Sequence, residues 1–229
     1  MDDKRLDSER RSLNRRFEYI NIVLSILKRG NEDTCKEELI RNVDGQIVLK
    51  SALMLMYYNA IEGVMNNLMN IFFETIIARN MKVSSVPVEL QKLYCVNHLK
   101  KIKKEVTEQE VTDMINNHID DVRLADYKEL SKNISFYSGN LDSQGIIGVV
   151  KKLGFSVDEN KFRVASLKTI KDKRNALAHG DVEFHEACRS LTIGDMELIK
   201  RDLMKYLNNL IELYETEINQ LIKLVQSGI

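Results

Sequence analysis

Three cysteines and one proline are all that this chain of 229 residues contains of either type. Cys35, Cys95 and Cys188 are odd in number and widely spaced. That fits neither a disulfide framework nor a zinc pattern, and a reduced, cytoplasmic compartment is expected. Charge of one sign is missing too. The 34 Lys and Arg residues balance 34 Asp and Glu, so the bulk charge calls for neither nucleic acid nor a membrane surface, and any polyanion site must be local. No uninterrupted hydrophobic run is present. The N-terminal "MDDKRLDSERRSLNRR" is charged from its second residue and reads as no signal peptide. The most apolar stretch, "SALMLMYYNAIEGVMNNLMNIFFETIIA", carries Asn59, Glu62, Asn66, Asn67 and Asn70, which a lipid-facing helix would not tolerate, so a non-membrane protein is expected. The glycines of "YSGNLDSQGIIGVVKKLG" lack the Gly-Lys-Ser/Thr ending of a phosphate-cradling loop, and a turn followed by a helix accounts for them.

What is present is helical period. With 44% apolar residues the chain can bury one sizeable core. Leu6, Leu13, Phe17, Ile20, Leu24 and Leu27 form a stripe on a helix that Gly30 stops. A polar connection comes next, with room for a short helix. Residues 46 to about 80 carry a broad stripe through Leu53, Tyr57, Ile61, Val64, Leu68 and Phe72, widened by Met54, Met65 and Met69. So apolar a helix must be buried on more than one side, and its surface exceeds what a lone four-helix core would use. Ser84 or Ser85 reads as a cap and Pro87 as a first-turn residue. Shorter helices are expected over 88–105 and 108–121, and 124–141 reads as loop with room for a strand. Two more helices, 143–153 and 164–179, close at Gly154 and Gly180. The last begins at "TIGD", where Thr192 caps and Asp195 stands three residues on.

That last helix should run about 30 residues, or about 45 Å, and its overhang wants a partner: the N-terminal helix or a second copy of the chain. The expected architecture is all-α, a four-helix up-and-down bundle with additional N-terminal and peripheral helices. Residues 1–45 read as an N-terminal helix and connection packing on the bundle or on a partner subunit, and 46–229 as the bundle domain.

Among candidate sites, His98 and His118 lack a second ligand at metal spacing, so no metal is expected. "KKIKK" reads as a solvated face. The segment "KDKRNALAHGD", residues 171–181, is different. Residues 161–174 gather Lys161, Arg163, Lys168, Lys171, Lys173 and Arg174 against Asp172. That is a local anion site, with Lys168, Lys171 and Lys173 as substrate-binding candidates. On an ideal helix Asn175 and His179 lie about 40° apart, so Asn175 can orient the imidazole, whereas Arg174 and His179 are about 140° apart. The two meet at one phosphate only if the arginine wraps round, if the helix breaks at Ala178–Gly180, or if a second subunit brings its own copy. His185 is close enough in sequence to share that space, beside its plainer reading as an exposed loop histidine. An arginine that forks onto phosphate oxygens and a histidine that exchanges a proton near neutral pH suffice for RNA cleavage by the 2′-hydroxyl.

Arg174-Asn175-x-x-x-His179, followed by a long last helix, resembles the R-x(4-6)-H signature of the HEPN superfamily. "YYNAIEGVMNNL", residues 57–68, resembles one bacterial branch of it. The likeness spans roughly residues 46 to 226. It implies a metal-independent, cofactor-free endoribonuclease that dimerises to build a composite cleft, many members being toxins or antiviral effectors. It also implies RNA as substrate and an antitoxin or sensor protein as a further partner. Arg174, His179 and Asn175 carry over as catalytic residues, with Glu62 as a neighbour. Two other readings stand beside this one. One is a catalytically idle module for dimerisation or nucleotide sensing. The other is a toxin restrained by a nucleotidyltransferase that modifies a tyrosine two positions after the histidine, which Asp181 at that position disfavours.

Overall fold

A computed structural model describes residues 2–30, 38–137 and 139–226; Cys35 and the start of the polar connection lie outside them. Helix α1 spans Asp2–Gly30, α2 Glu38–Arg41 and α3 Val43–Ala78. Then come α4 (Val88–Lys100), α5 (Glu108–Asn117), α6 (Tyr127–Asn133), α7 (Ser143–Lys152) and α8 (Glu159–Phe162). The last three are α9 (Ala165–His179), α10 (Phe184–Ala187) and α11 (Ile193–Gln226).

The fold is all-α, a bundle of α1, α3, α9 and α11 with peripheral helices. Polar contacts fix how the long helices run. Arg5 of α1 pairs with Glu74, and Glu9 accepts from Asn67, while Arg10 pairs with Glu215 and Lys28 with Glu197. Hence α1 is antiparallel to both α3 and α11. Tyr57 bonds the Met196 carbonyl and Tyr214 bonds Met69, so α3 and α11 run parallel. The overhang of α11 is therefore covered by the chain's own N-terminal helix, whose predicted stripe is buried throughout. Among the described residues no helix is long and apolar enough to cross a membrane.

Helix α3 is the axis: α1, α6, α9, α10 and α11 all pack on it. Most of its apolar surface is thus buried within the chain, Val43, Val48 and Ile77 staying exposed. From Leu55 to Ile77 only one stripe stays wholly or partly exposed, holding Asn59, Glu62, Gly63, Asn66, Asn67 and Asn70. A Cβ at Gly63 would lie 2.8 Å from Nη2 of Arg16, whose guanidinium lies against α3 there and pairs with buried Glu9 of its own helix.

Local chemistry sets the helix ends. Thr192 and Asp195 form the expected reciprocal cap, the Thr192 amide donating to the carboxylate at 2.8 Å and the Asp195 amide to the hydroxyl at 3.1 Å. Gly154 and Gly180 take the left-handed conformation at φ +83° and +73°. Elsewhere the expectations need correcting. Pro87 itself is the N-cap of α4, while the Ser85 hydroxyl turns back to the Lys82 carbonyl. Helix α4 stops at Lys100, and the basic run beyond it works as tethers: Lys100 to the Asn133 carbonyl, Lys101 to Glu129 and Lys103 to Glu110. No strand forms among the described residues of 124–141; they contain α6, which Asp126 caps through the Glu129 amide.

Candidate active site

Helix α9 buries Leu167, Ile170 and Leu177. The spacing of three and seven leaves one core-facing position between Ile170 and Leu177, and Arg174 occupies it. An arginine in an apolar register must find partners. Its guanidinium carbon lies 4.4 Å from the centroid of the Tyr58 ring on α3, a cation–π contact. Nη1 donates to Oδ1 of Asn175 at 3.1 Å, and Nη2 stands 4.0 Å from Oε1 of Glu62, beyond hydrogen-bond length. Glu62 thus sits beside Arg174, one helical turn from Tyr58 on α3.

Sequence reasoning missed Tyr58, although the signal was there: Tyr58, Glu62 and Asn66 recur every four residues along α3. The Tyr58 hydroxyl donates to the Gly139 carbonyl and accepts the Leu141 amide at 3.0 Å. Burial pushes its phenol above the usual range. Tyr137 bonds Asn66 through its hydroxyl, and its phenol is raised chiefly by burial and then by Tyr127.

The basic lead-in is less free than its composition suggests, because carboxylates from other segments reach it. Lys161 and Arg163 pair with Asp158 and Glu159 of the α8 turn. Lys171 is held by Asp142, the N-cap of α7. Burial works against the Asp142 carboxylate, but the bonds from Lys171 and the Gly145 amide outweigh it and keep the group below its usual range. The same bond raises Lys171. Of the three lysines named from the sequence, Lys168 and Lys173 make no ion pair with a described carboxylate; Lys171 makes one, with Asp142.

His179 ends α9 on the exposed side. The helix continues unbroken through it and stops at Gly180, with the Asp181 amide donating to the Ala176 carbonyl at 2.9 Å. So the break does not swing His179 toward Arg174, and the two side chains diverge as ideal geometry requires. Asn175 bonds Arg174 and makes no hydrogen bond to His179 among the described residues. Nor does His185 join them: its Nε2 lies 3.9 Å from Glu186 on the exposed α10. The segment after the motif is fastened to α3, by Ser51 to the Phe184 carbonyl at 2.8 Å and by buried Lys50 to the Leu191 carbonyl at 2.6 Å. Burial lowers the Lys50 ammonium.

The result is one half-buried cation with a defined direction and, about 140° round the same helix, an exposed imidazole. Such a pair can bind an anion and can exchange a proton, though not at one point within one chain. No curated protein and no solved structure matches the chain significantly. A family model does, over residues 7–222, and so takes in α1, which the sequence likeness had left aside. It describes MAE_28990-like HEPN proteins, and the chain belongs to that family of the HEPN superfamily.

Proposed function

We propose that the protein is an endoribonuclease that cleaves RNA without a metal ion, by attack of an internal 2′-hydroxyl. The observation that carries this is the state of Arg174. A guanidinium has five N–H donors; here one is hydrogen-bonded, to Asn175, and the closest carboxylate stands off at 4.0 Å. A permanent charge is thus aimed and mostly unspent.

In the reaction the 2′-oxygen forms a bond to phosphorus as the bond from phosphorus to the 5′-oxygen breaks. Arg174 stabilises the charge that grows on the phosphoryl oxygens. His179 takes the 2′-hydroxyl proton or gives one to the departing 5′-oxygen. Since Arg174 and His179 diverge on one helix, the site is composite: two copies of α9 meet across a two-fold axis and set an arginine of one protomer beside the histidine of its partner. Lys168 and Lys173 attract the RNA backbone. The free thiols of Cys95 and Cys188, both buried, suit a reduced cytoplasm. An RNA-cleaving dimer of this kind acts as a toxin or antiviral effector and needs an antitoxin or sensor protein to restrain it.

The test is incubation of the purified protein with total cellular RNA in EDTA, alongside His179→Ala. Cleavage by the wild type alone, leaving 2′,3′-cyclic phosphate ends, is expected. Strict dependence on magnesium, or 5′-phosphate products, removes the mechanism, and an inert wild type leaves the non-catalytic dimerisation or sensing module.

A further inference from the structure

We propose that Tyr58 is the positioning residue for Arg174, its ring setting the direction of the guanidinium that meets the phosphate. This rests on the function proposed above and adds to it a residue outside the motif.

Tyr58 is wholly buried, so its ring cannot turn away. Both functions of its hydroxyl are used, donating to Gly139 and accepting from Leu141. Those two bonds fix the ring plane against the backbone that enters α7. The same backbone is fixed from the other side. Asp142, the next residue, holds Lys171 of α9, one turn before Arg174. Residues 139–142 therefore clamp α3 to α9 at the level of the arginine, and Tyr58 is where the clamp touches the guanidinium.

The physical consequence is directional. A cation over a ring face is attracted without losing any N–H donor, because the contact is to the π cloud. A carboxylate in the same place would take two donors and neutralise the charge. Tyr58 thus supplies orientation while the donors stay free, and Asn175 sets the rotation about the last bond by taking one of them at Nη1. Glu62, at 4.0 Å, bounds the site on the side of Nη2.

The test separates the ring from the hydroxyl and each from the fold. In 15N-edited NMR of the full-length protein, the Nε–Hε signal of Arg174, assigned by its loss in Arg174→Ala, should show an upfield ring-current shift. That shift should persist in Tyr58→Phe and vanish in Tyr58→Leu. In single-turnover cleavage of RNA, Tyr58→Leu should lower the maximal rate by about tenfold or more, the scale of one lost cation–π contact, with little change in half-saturating RNA concentration. Tyr58→Phe should stay within about threefold of wild type, a fraction of a tenfold step. In an Arg174→Ala background, Tyr58→Leu should cost nothing further.

A loss in Tyr58→Phe as large as in Tyr58→Leu, or an additional loss in the Arg174→Ala background, overturns the positioning role. An unchanged Arg174 signal in Tyr58→Leu overturns it even where cleavage falls. A wild type that cleaves no RNA overturns the function proposed above, while the Arg174 shift still decides whether Tyr58 directs the guanidinium.

Discussion

Half-buried Arg174 faces the Tyr58 ring, 4.4 Å from its centroid, whereas His179, five residues along the same unbroken helix, faces outward. The motif spacing fixes that divergence, since five residues advance the helix by about 140°. Loss of either side chain should therefore have the same chemical effect and different structural effects. Arg174→Ala and His179→Ala are each expected to lower RNA cleavage at least ~10²-fold, the scale of a lost transition-state donor or proton-transfer group. Thermal melts should separate them. His179→Ala should move stability by no more than about 0.5 kcal/mol, and Arg174→Ala, which loses ring and stem contacts, by about 1 kcal/mol.

The composite site predicts complementation. Sedimentation of the wild type at micromolar concentration should give twice the chain mass. Mixing an Arg174→Ala chain with a His179→Ala chain should restore part of the activity, because one of the two phosphate sites then has both groups. A monomer that cleaves RNA at full rate would sink this arrangement.

Gly180 is placed for its backbone alone. Its φ is +73° and nothing lies within 4 Å of where a Cβ would stand. Gly180→Ala should cost about 1–2 kcal/mol, the penalty of the left-handed region for an L-residue. A neutral substitution would show that the α9 terminus relaxes into another conformation.

Glu9 is buried with Arg16 and Asn67 as partners. Burial outweighs both partners, and its carboxyl is raised above the usual value. A carboxyl whose folded pKa is raised binds its proton more tightly when folded. Its contribution is therefore unfavourable at neutral pH, and that penalty is relieved as pH falls through the folded pKa toward the unfolded one. Glu9→Gln, which resembles the protonated form, should melt at or above wild type at pH 7. The gap should close as the pH is lowered below the ordinary carboxylate range. A gap that widens on acidification contradicts the raised pKa.

Tyr94 and Tyr206 each bury a hydroxyl that has no hydrogen-bond partner among the described residues. Tyr94→Phe and Tyr206→Phe should each gain about 1 kcal/mol, the cost of an unpaired buried polar group. Tyr57→Phe is the control, since its hydroxyl bonds the Met196 carbonyl at 3.0 Å, and it should lose a similar amount. Denaturant midpoints for the three variants give the comparison directly.

The amino-acid sequence by itself determined much of what depends on period and on neighbours along the chain, though not the cap of α4 or the short helix α6. The stripes of α1, α3 and α11 are set by residues three and four apart. So are the Thr192 cap, the glycine stops at Gly154 and Gly180, and the divergence of Arg174 from His179. Each is a relation within about five residues, and local geometry fixes it. Tertiary structure decided whatever depends on residues far apart in sequence. The contact of Tyr58 with Arg174 spans 116 positions, counting from 58 to 174, and no local pattern encodes it. The ion pair of Lys171 with Asp142 ties α9 to the start of α7. The covering of α11 by α1, and of α3 by the helices packed round it, settled where most of the apolar surface goes. Composition counted the charges and apolar residues; only packing decided which of them were already partnered, because burial and ion pairing are properties of the assembled core.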